Sequence, residues 1–96
     1  MPAVIDIGTL ITQSFDLHNG RPVIAGTGTS VRRIAVLYKQ GANAEEIVRR
    51  MKHLTLAQVY AALTYYHANR DQIEADLAAE DAEYERLITL HSTKAQ

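Results

Sequence analysis

The stretch that most constrains the fold of this chain is residues 43–66, NAEEIVRRMKHLTLAQVYAALTYY. It carries the pattern of a helix start twice. Asn43 is followed three residues later by Glu46, and Thr55 is followed three residues later by Gln58. This is the capping-box arrangement, in which the two side chains satisfy each other's backbone N–H groups at a helix N-terminus. The spacing therefore predicts two short helices joined by a turn.

Apolar residues at helical spacing give each predicted helix one inward face. In the first helix these residues are Ile47, Val48 and Met51. In the second they are Leu56, Val59, Ala62, Leu63 and Tyr66. Leu54 and Val59 are placed as a hydrophobic staple at the start of the second helix. The linker of residues 52–54 is too short for an antiparallel pair with long side chains between the helices, so we expect the sharp crossing of a helix-turn-helix.

The chain before this pair predicts β structure. Two short β-prone pieces cover residues 4–7 and 10–12, and Asn19-Gly20 has the residues of a tight hairpin turn. That turn places Phe15 opposite Ile24. Because a lone hairpin is marginal in water, we expect it to join strands of the same chain or of a second copy.

One more helix is predicted between the hairpin and the central pair. Ser30 is a suitable N-cap, the helix runs from Val31 to about Gln40, and Gly41 closes it in the C′ position. Its inward residues are Ile34, Ala35, Leu37 and Tyr38.

A long helix is predicted after the central pair. Asn69 with Gln72 caps it, it runs from Arg70 to about Leu90, and the tail from Ser92 is expected to fray. A narrow apolar stripe runs along it, formed by Ile73, Leu77, Tyr84, Leu87 and Ile88. Because its other faces are acidic, we expect this helix to act as an arm that binds another protein through these five residues.

At 96 residues the chain predicts one domain with three parts. Residues 1–29 form an N-terminal β element that mediates dimerisation. Residues 30–68 form a three-helix core with the helix-turn-helix, and residues 69–96 form the acidic C-terminal helix and its frayed tail. The fold class is therefore mainly α, with an N-terminal hairpin or small sheet and a long C-terminal helix.

Several classes of function are disfavoured by the composition. There is no cysteine, no apolar run approaches a membrane span, and no secretory signal is seen, so we expect a cytoplasmic protein. The four histidines fall in four predicted elements with no i,i+4 pair, and no catalytic signature is present. We therefore expect no enzymatic activity, no metal and no cofactor.

The charges are distributed unevenly along the chain. Residues 30–53 hold six basic residues against two acids, whereas residues 70–96 hold seven acids against three basic residues. Such an asymmetry suggests two different partners, although solvated helix surface is the alternative explanation.

A helix-turn-helix suggests DNA as one partner, with the second helix in the major groove. Its N-terminal part begins at Thr55, which can meet a base or a phosphate, and Gln58 can make a bidentate contact to adenine. Basic residues on neighbouring elements would contact the DNA backbone. They are Arg32, Arg33, Arg49, Arg50, Lys52 and His53. The alternative is that these helices build only a dimerisation or scaffold core, because residues 54–69 contain no Lys, Arg, Asp or Glu.

Residues 18–68 resemble a known family. The shared pattern is Gly20-Arg21-Pro22-Val23-Ile24-Ala25-Gly26-Thr27, then Glu45-Glu46-Ile47, then His53-Leu54-Thr55, then Ala61-Ala62-Leu63-Thr64-Tyr65. It is similar to the small prokaryotic domain of originally unknown function now grouped with VapB-type antitoxins. Three positions depart from the family pattern. Gly28 stands where relatives carry Arg, Asn43-Ala44 replaces Ser-Pro, and Lys52 replaces Pro.

The resemblance implies a homeodomain-like helix-turn-helix that forms a dimer through its N-terminal β element. It also implies a toxin–antitoxin operon whose toxin is a PIN-like ribonuclease. The expected function is that of an antitoxin that neutralises this toxin and binds its own operator DNA. A stand-alone helix-turn-helix DNA-binding protein and a scaffold dimer without a role in DNA binding are the alternatives.

Overall fold

The computed structural model describes residues 4, 6–13 and 20–95, with side chains described as far as residue 90. The predicted fold class is confirmed: the described chain is mainly helical, with a small sheet near its N-terminus and a long C-terminal helix. Its elements in chain order are a 3₁₀ turn Ile7–Thr9, strands β1 (Ile11–Thr12) and β2 (Val23–Ile24), and helices α1 (Val31–Lys39), α2 (Ala44–Arg50), α3 (Leu56–Ala68) and α4 (Arg70–Ala95).

The capping boxes predicted for α2 and α3 are present, whereas the Asn69 side chain, predicted to cap α4 with Gln72, donates to the backbone carbonyl of Tyr65 at 3.1 Å. At α2 the Asn43 side chain accepts from the backbone N–H of Glu46 at 2.9 Å, and the Glu46 side chain accepts from the backbone N–H of Asn43 at 3.2 Å. At α3 Thr55 and Gln58 make the same exchange at 3.1 and 2.8 Å. The starts of α2 and α3 are thus fixed by local hydrogen bonds, as the spacing predicted.

The ends of α1 also agree with the prediction. The Ser30 hydroxyl accepts from the backbone N–H of Arg33 at 3.1 Å. Gly41 has φ of +100°, a left-handed conformation that L side chains rarely adopt, and it lets the chain leave α1 directly towards α2.

The core lies where α1, α2 and α3 meet, with the start of α4 against it. Its largest fully buried side chains are Tyr66, Ile24, Ile34, Ile47, Ile73, Val31 and Val59. One prediction for α3 was wrong. Leu56, expected inside, lies in the first turn and is 43% exposed, whereas Ala61, which was not among the predicted inward residues, is buried. The helix contacts both strands as well as α1 and α2, so it buries more than the one stripe that the spacing suggested.

The small sheet differs from the predicted hairpin. Its strands are antiparallel, with Ile11 opposite Ile24 and Thr12 opposite Val23. The sequence placed Phe15 opposite Ile24, whereas the described strand that pairs with Ile24 is β1. Ile24 is fully buried, and the apolar partner across from it is the partly buried Ile11. The predicted first hairpin strand, with Phe15, lies outside the described residues.

Helix α4 divides into two parts. Ile73 is 2% exposed in the core and Leu77 packs against it, whereas every residue from 81 to 90 is exposed. We call residues 81–95 the arm. The helix continues to Ala95 instead of ending near Leu90, so the expected fraying from Ser92 is not observed. The molecule measures 65 × 30 × 24 Å with a radius of gyration of 15.9 Å, against about 12.5 Å for a compact domain of this length.

Candidate functional site

Three basic side chains are exposed where α2 ends and the turn to α3 begins. They are Arg49 and Arg50, in the last turn of α2, and Lys52, in the turn itself. Cations at this position also interact favourably with the negative end of the helix dipole. These three residues form the basic end of the helix-turn-helix, and they stand where the sequence placed contacts to a DNA backbone.

The two residues expected to contact bases, Thr55 and Gln58, already form hydrogen bonds with each other at the start of α3. Oε1 of Gln58 accepts the backbone N–H of Thr55 at 2.8 Å, and the Thr55 hydroxyl accepts the backbone N–H of Gln58 at 3.1 Å. A bidentate contact to adenine requires both the oxygen and the nitrogen of the Gln58 amide. Gln58 would therefore have to leave the cap of α3 in order to read a base as predicted.

The first two turns of α3 present two large apolar or aromatic side chains to the surface. Leu56 and Tyr60, four residues apart, are 43% and 55% exposed. Because i and i+4 are neighbours on a helix, the two side chains form one patch. We call Leu56 and Tyr60, together with the basic end, the α3 patch. Sequence reasoning missed it because Leu56 was assigned to the core and Tyr60 to no surface.

His53 lies in the turn between α2 and α3, and its ring makes one hydrogen bond to a residue outside that turn. Its Nε2 lies 3.0 Å from the hydroxyl of Thr29, a buried residue just before α1. This contact ties the helix-turn-helix to the segment that follows β2. A contact between His53 and a phosphate, as predicted, would compete with this hydrogen bond.

Arg32 and Arg33 are placed on different sides of α1. Arg33 is exposed, whereas Arg32 is partly buried against α4, where it forms an ion pair with Glu80. Arg21 approaches the same carboxylate at 3.4 Å. Burial, reinforced by the charge of Arg21, lowers the pKa of Arg32. The structure therefore occupies Arg32 with α4 and does not place it among the exposed basic residues, contrary to its predicted role.

A second polar contact holds α4 nearer to its start. The Tyr66 hydroxyl donates to Oε1 of Glu74 at 2.5 Å, and the Lys39 ammonium donates to Oε2 at 2.7 Å. These hydrogen bonds lower the pKa of Glu74 and raise the pKa values of Tyr66 and Lys39. Sequence reasoning missed this cluster because its members come from three different helices. One signal was available: Tyr66 and Glu74 lie eight residues apart across a single capping residue.

The predicted partner-binding residues fall into two groups. Ile73 and Leu77 belong to the core and its edge, so they do not form the partner surface predicted for them. Tyr84, Leu87 and Ile88 are exposed on the arm, and Leu90 adds a fourth apolar side chain there. We call these four residues the arm surface. The part of α4 that packs on the core therefore ends before residue 81, within the segment 69–96 that the sequence treated as one part.

A groove of about 440 Å³ runs between the base of the arm and the two arginines that meet Glu80. Its lining residues are Arg21, Arg32, Asp76, Ala79, Glu80, Glu83, Tyr84 and Leu87. Within the described part of the chain, no three His, Asp or Glu residues are grouped as metal ligands would be, and no helix is both long and apolar enough to cross a membrane.

Comparison with known proteins places this architecture in a family. No curated protein matches the chain. A crystal structure of a DUF433 member protein from Anabaena variabilis is similar, with 27% sequence identity and a TM-score of 0.66 over 73% of this chain and 69% of that one. The sequence pattern of DUF433, described as protein of unknown function, matches residues 11–66, which span β1 to the last turns of α3. The chain belongs to the DUF433 family.

Proposed function

We propose that this DUF433 protein is the antitoxin of a type II toxin–antitoxin pair. In this proposal the arm binds and neutralises a PIN-like ribonuclease, and the helix-turn-helix represses the protein's own operon. Two copies join through residues 1–29. The proposal is supported by the resemblance of residues 18–68 to VapB-type antitoxins and by the division of the molecule into a core and an arm.

The observation that carries the proposal is the exposed arm. It presents four large apolar side chains on one short stretch of helix, and Tyr84 is 66% exposed. Such a stretch is an unusual feature for a chain that acts alone, because contiguous exposed apolar surface commonly marks an interaction site. The acids among the apolar residues, Asp81, Glu83 and Glu85, suit a partner whose surface is basic around an apolar groove.

Neutralisation is tested with the product of the neighbouring gene. The two chains are co-purified, and RNA cleavage by the partner is measured with and without this protein. The double variant Leu87→Ser/Ile88→Ser should lose the partner and restore cleavage, because both apolar anchors are removed from an exposed surface. Ala82→Ser, on the same stretch, should still silence the nuclease. Failure to find a silenced nuclease, or silencing that survives the double variant, would contradict the antitoxin assignment.

DNA binding rests on the basic end. Exposed arginines at the end of α2 can contact phosphates without any change in the fold. Binding to the DNA upstream of the gene should weaken steeply with salt, and Arg49→Ala/Arg50→Ala should make log K fall less steeply with log salt, by about two units of slope. Arg86→Ala, an exposed arginine on the arm, is the matched control and should leave the slope unchanged.

One observation favours the scaffold alternative. The exposed residues in the first two turns of α3 are Leu56, Ala57 and Tyr60, and the side chains of Thr55 and Gln58 form the cap of the helix. A chain whose upstream DNA binding is absent at low salt, while its nuclease partner is retained, would be an antitoxin without a DNA role. A chain that lacks both would be a scaffold protein.

A further inference from the structure

Two exposed surfaces of this chain complement each other. The α3 patch combines Leu56 and Tyr60 with three positive charges. The arm surface combines four apolar side chains with acids at positions 81, 83 and 85, against the single arginine Arg86. One surface is apolar and basic, and the other is apolar and acidic, so each has the chemistry that the other would bind.

The arm does not meet the α3 patch of its own chain. Helix α4 is continuous from Arg70 to Ala95, and its first half is held against the core by the burial of Ile73 and by the contacts of Glu74 and Glu80. The arm then extends about 22 Å as a helix. Every residue from 81 to 90 is exposed, and the groove that Glu83, Tyr84 and Leu87 line is shared with Arg21 and Arg32 and with no residue of α3. A return to α3 would require the helix to break.

We propose that the arm of a second copy of this chain docks on the α3 patch. In a two-fold arrangement each arm would lie on the other chain's patch, so that one contact is made twice. The arm's acids would face Arg49, Arg50 and Lys52, while Tyr84, Leu87 and Ile88 would cover Leu56 and Tyr60. This contact does not depend on the nuclease of the proposed function, and it covers the basic end that the proposed DNA contact uses.

The proposal is tested by cross-linking the purified protein. The chain has no cysteine, so a thiol placed at one position reports only on that position. One chain carries Ala57→Cys, at an exposed position between Leu56 and Tyr60, and a second chain with a different affinity tag carries Arg86→Cys on the arm. A short bis-maleimide added to the mixture should yield mainly the mixed product. Product formed mainly between two Arg86→Cys chains, or no dimeric product, would overturn the proposal.

Charge reversal separates docking from random collision. Arg49→Glu/Arg50→Glu, added to the Ala57→Cys chain, should remove most of the mixed product because the arm's acids then face acids. Glu83→Lys/Glu85→Lys, added to the Arg86→Cys chain, should restore it with that partner. All of the reversed positions are exposed, and circular dichroism verifies that the variants remain folded. A mixed product that is insensitive to the first reversal, or that the second does not restore, would also overturn the proposal.

Discussion

The two halves of helix α4 share one apolar stripe, but the stripe is packed on the core in the first half and exposed in the second. In the first half Ile73 is buried and Leu77 packs at its side, while in the second half Tyr84, Leu87 and Ile88 are exposed. The spacing of the five residues does not distinguish the halves. The difference is that α1 and α3 lie opposite the first half, whereas the second half extends past them. An amphipathic pattern thus predicts a helix face that packs against another surface. The tertiary context decides whether that surface belongs to the same chain.

Polar contacts reinforce this division. Glu74 and Glu80 each join α4 to basic residues of the core, Glu74 to Lys39 and Glu80 to Arg32 and Arg21. On the arm the acids Asp81 and Glu85 are exposed, and Glu83 pairs with Arg86 one turn away on the same helix. Exposed pairs of that kind contribute little to stability. The first half therefore behaves as part of the core, and the arm is available for binding.

The largest expected effect on the free energy of unfolding is the difference between shortening an apolar side chain in the first half of α4 and shortening one in the second half. Ile73→Ala should reduce the free energy of unfolding by about 2–5 kcal/mol, because it removes buried methyl and methylene groups and leaves a cavity. In dilute, monomeric protein Leu87→Ala should change it by less than about 0.5 kcal/mol, because its side chain is exposed. Urea unfolding followed by circular dichroism measures both. Equal losses at the two positions would mean that the arm is packed in the isolated protein.

An intermediate effect on stability is expected at acidic pH, where the Glu74 carboxylate is protonated. Hydrogen bonds from Lys39 and Tyr66 lower the pKa of Glu74, so its contribution to stability is complete above the unfolded pKa of about 4.3 and is lost as the pH falls through the lower folded pKa. Glu74→Gln should therefore lose less stability than the natural chain on acidification from about pH 5. Glu85→Gln on the arm is the control and should retain the natural pH dependence. A parallel decline of the natural chain and Glu74→Gln would contradict the contact.

A smaller effect on stability is expected at alkaline pH, where Tyr66, the hydrogen-bond donor to Glu74, loses its proton. The hydrogen bond to Glu74, together with burial, raises the pKa of Tyr66. The stabilising contribution of the neutral phenol is complete below the unfolded pKa of about 10 and is lost as the pH rises through the higher folded pKa. Tyr66→Phe should therefore flatten the alkaline decline in stability, and the raised pKa of Lys39 accounts for part of what remains. Tyr84→Phe, on the exposed arm, should not alter the decline.

The sequence predicted the local features of this fold well and the long-range ones poorly. The helix starts at Ser30, Asn43 and Thr55 were predicted correctly because each depends on hydrogen bonds within three residues. The pairing of Ile24 with Ile11 was not predicted, because register depends on which distant residue shares its burial. Ile11 is thirteen residues away in sequence, beyond the reach of turn chemistry.

The same limit applies to the site. The exposed basic end was found because Arg49, Arg50 and Lys52 lie on one short segment next to a recognised turn. Arg32 was misplaced because its position depends on Glu80, which is brought to it by the packing of α4 against α1. Exposure at Tyr60 and burial at Ile73 were likewise missed, since both follow from where the neighbouring elements lie and not from the spacing of residues along one helix.

The smallest expected effect is the most direct test of the division within α4. A chain that ends at Ala82 lacks nearly the whole arm, yet at a protein concentration low enough for the chains to be monomeric its free energy of unfolding should match that of the full chain within about 0.5 kcal/mol, because no residue from 81 to 90 is buried. Circular dichroism should show the loss of helical signal at an unchanged urea midpoint. A chain cut before Arg70 removes Ile73 and Glu74 as well and should be destabilised. Loss of stability with both truncations would show that the arm is structural. Loss of stability only in the chain cut before Arg70 would mean that the arm serves binding and not folding.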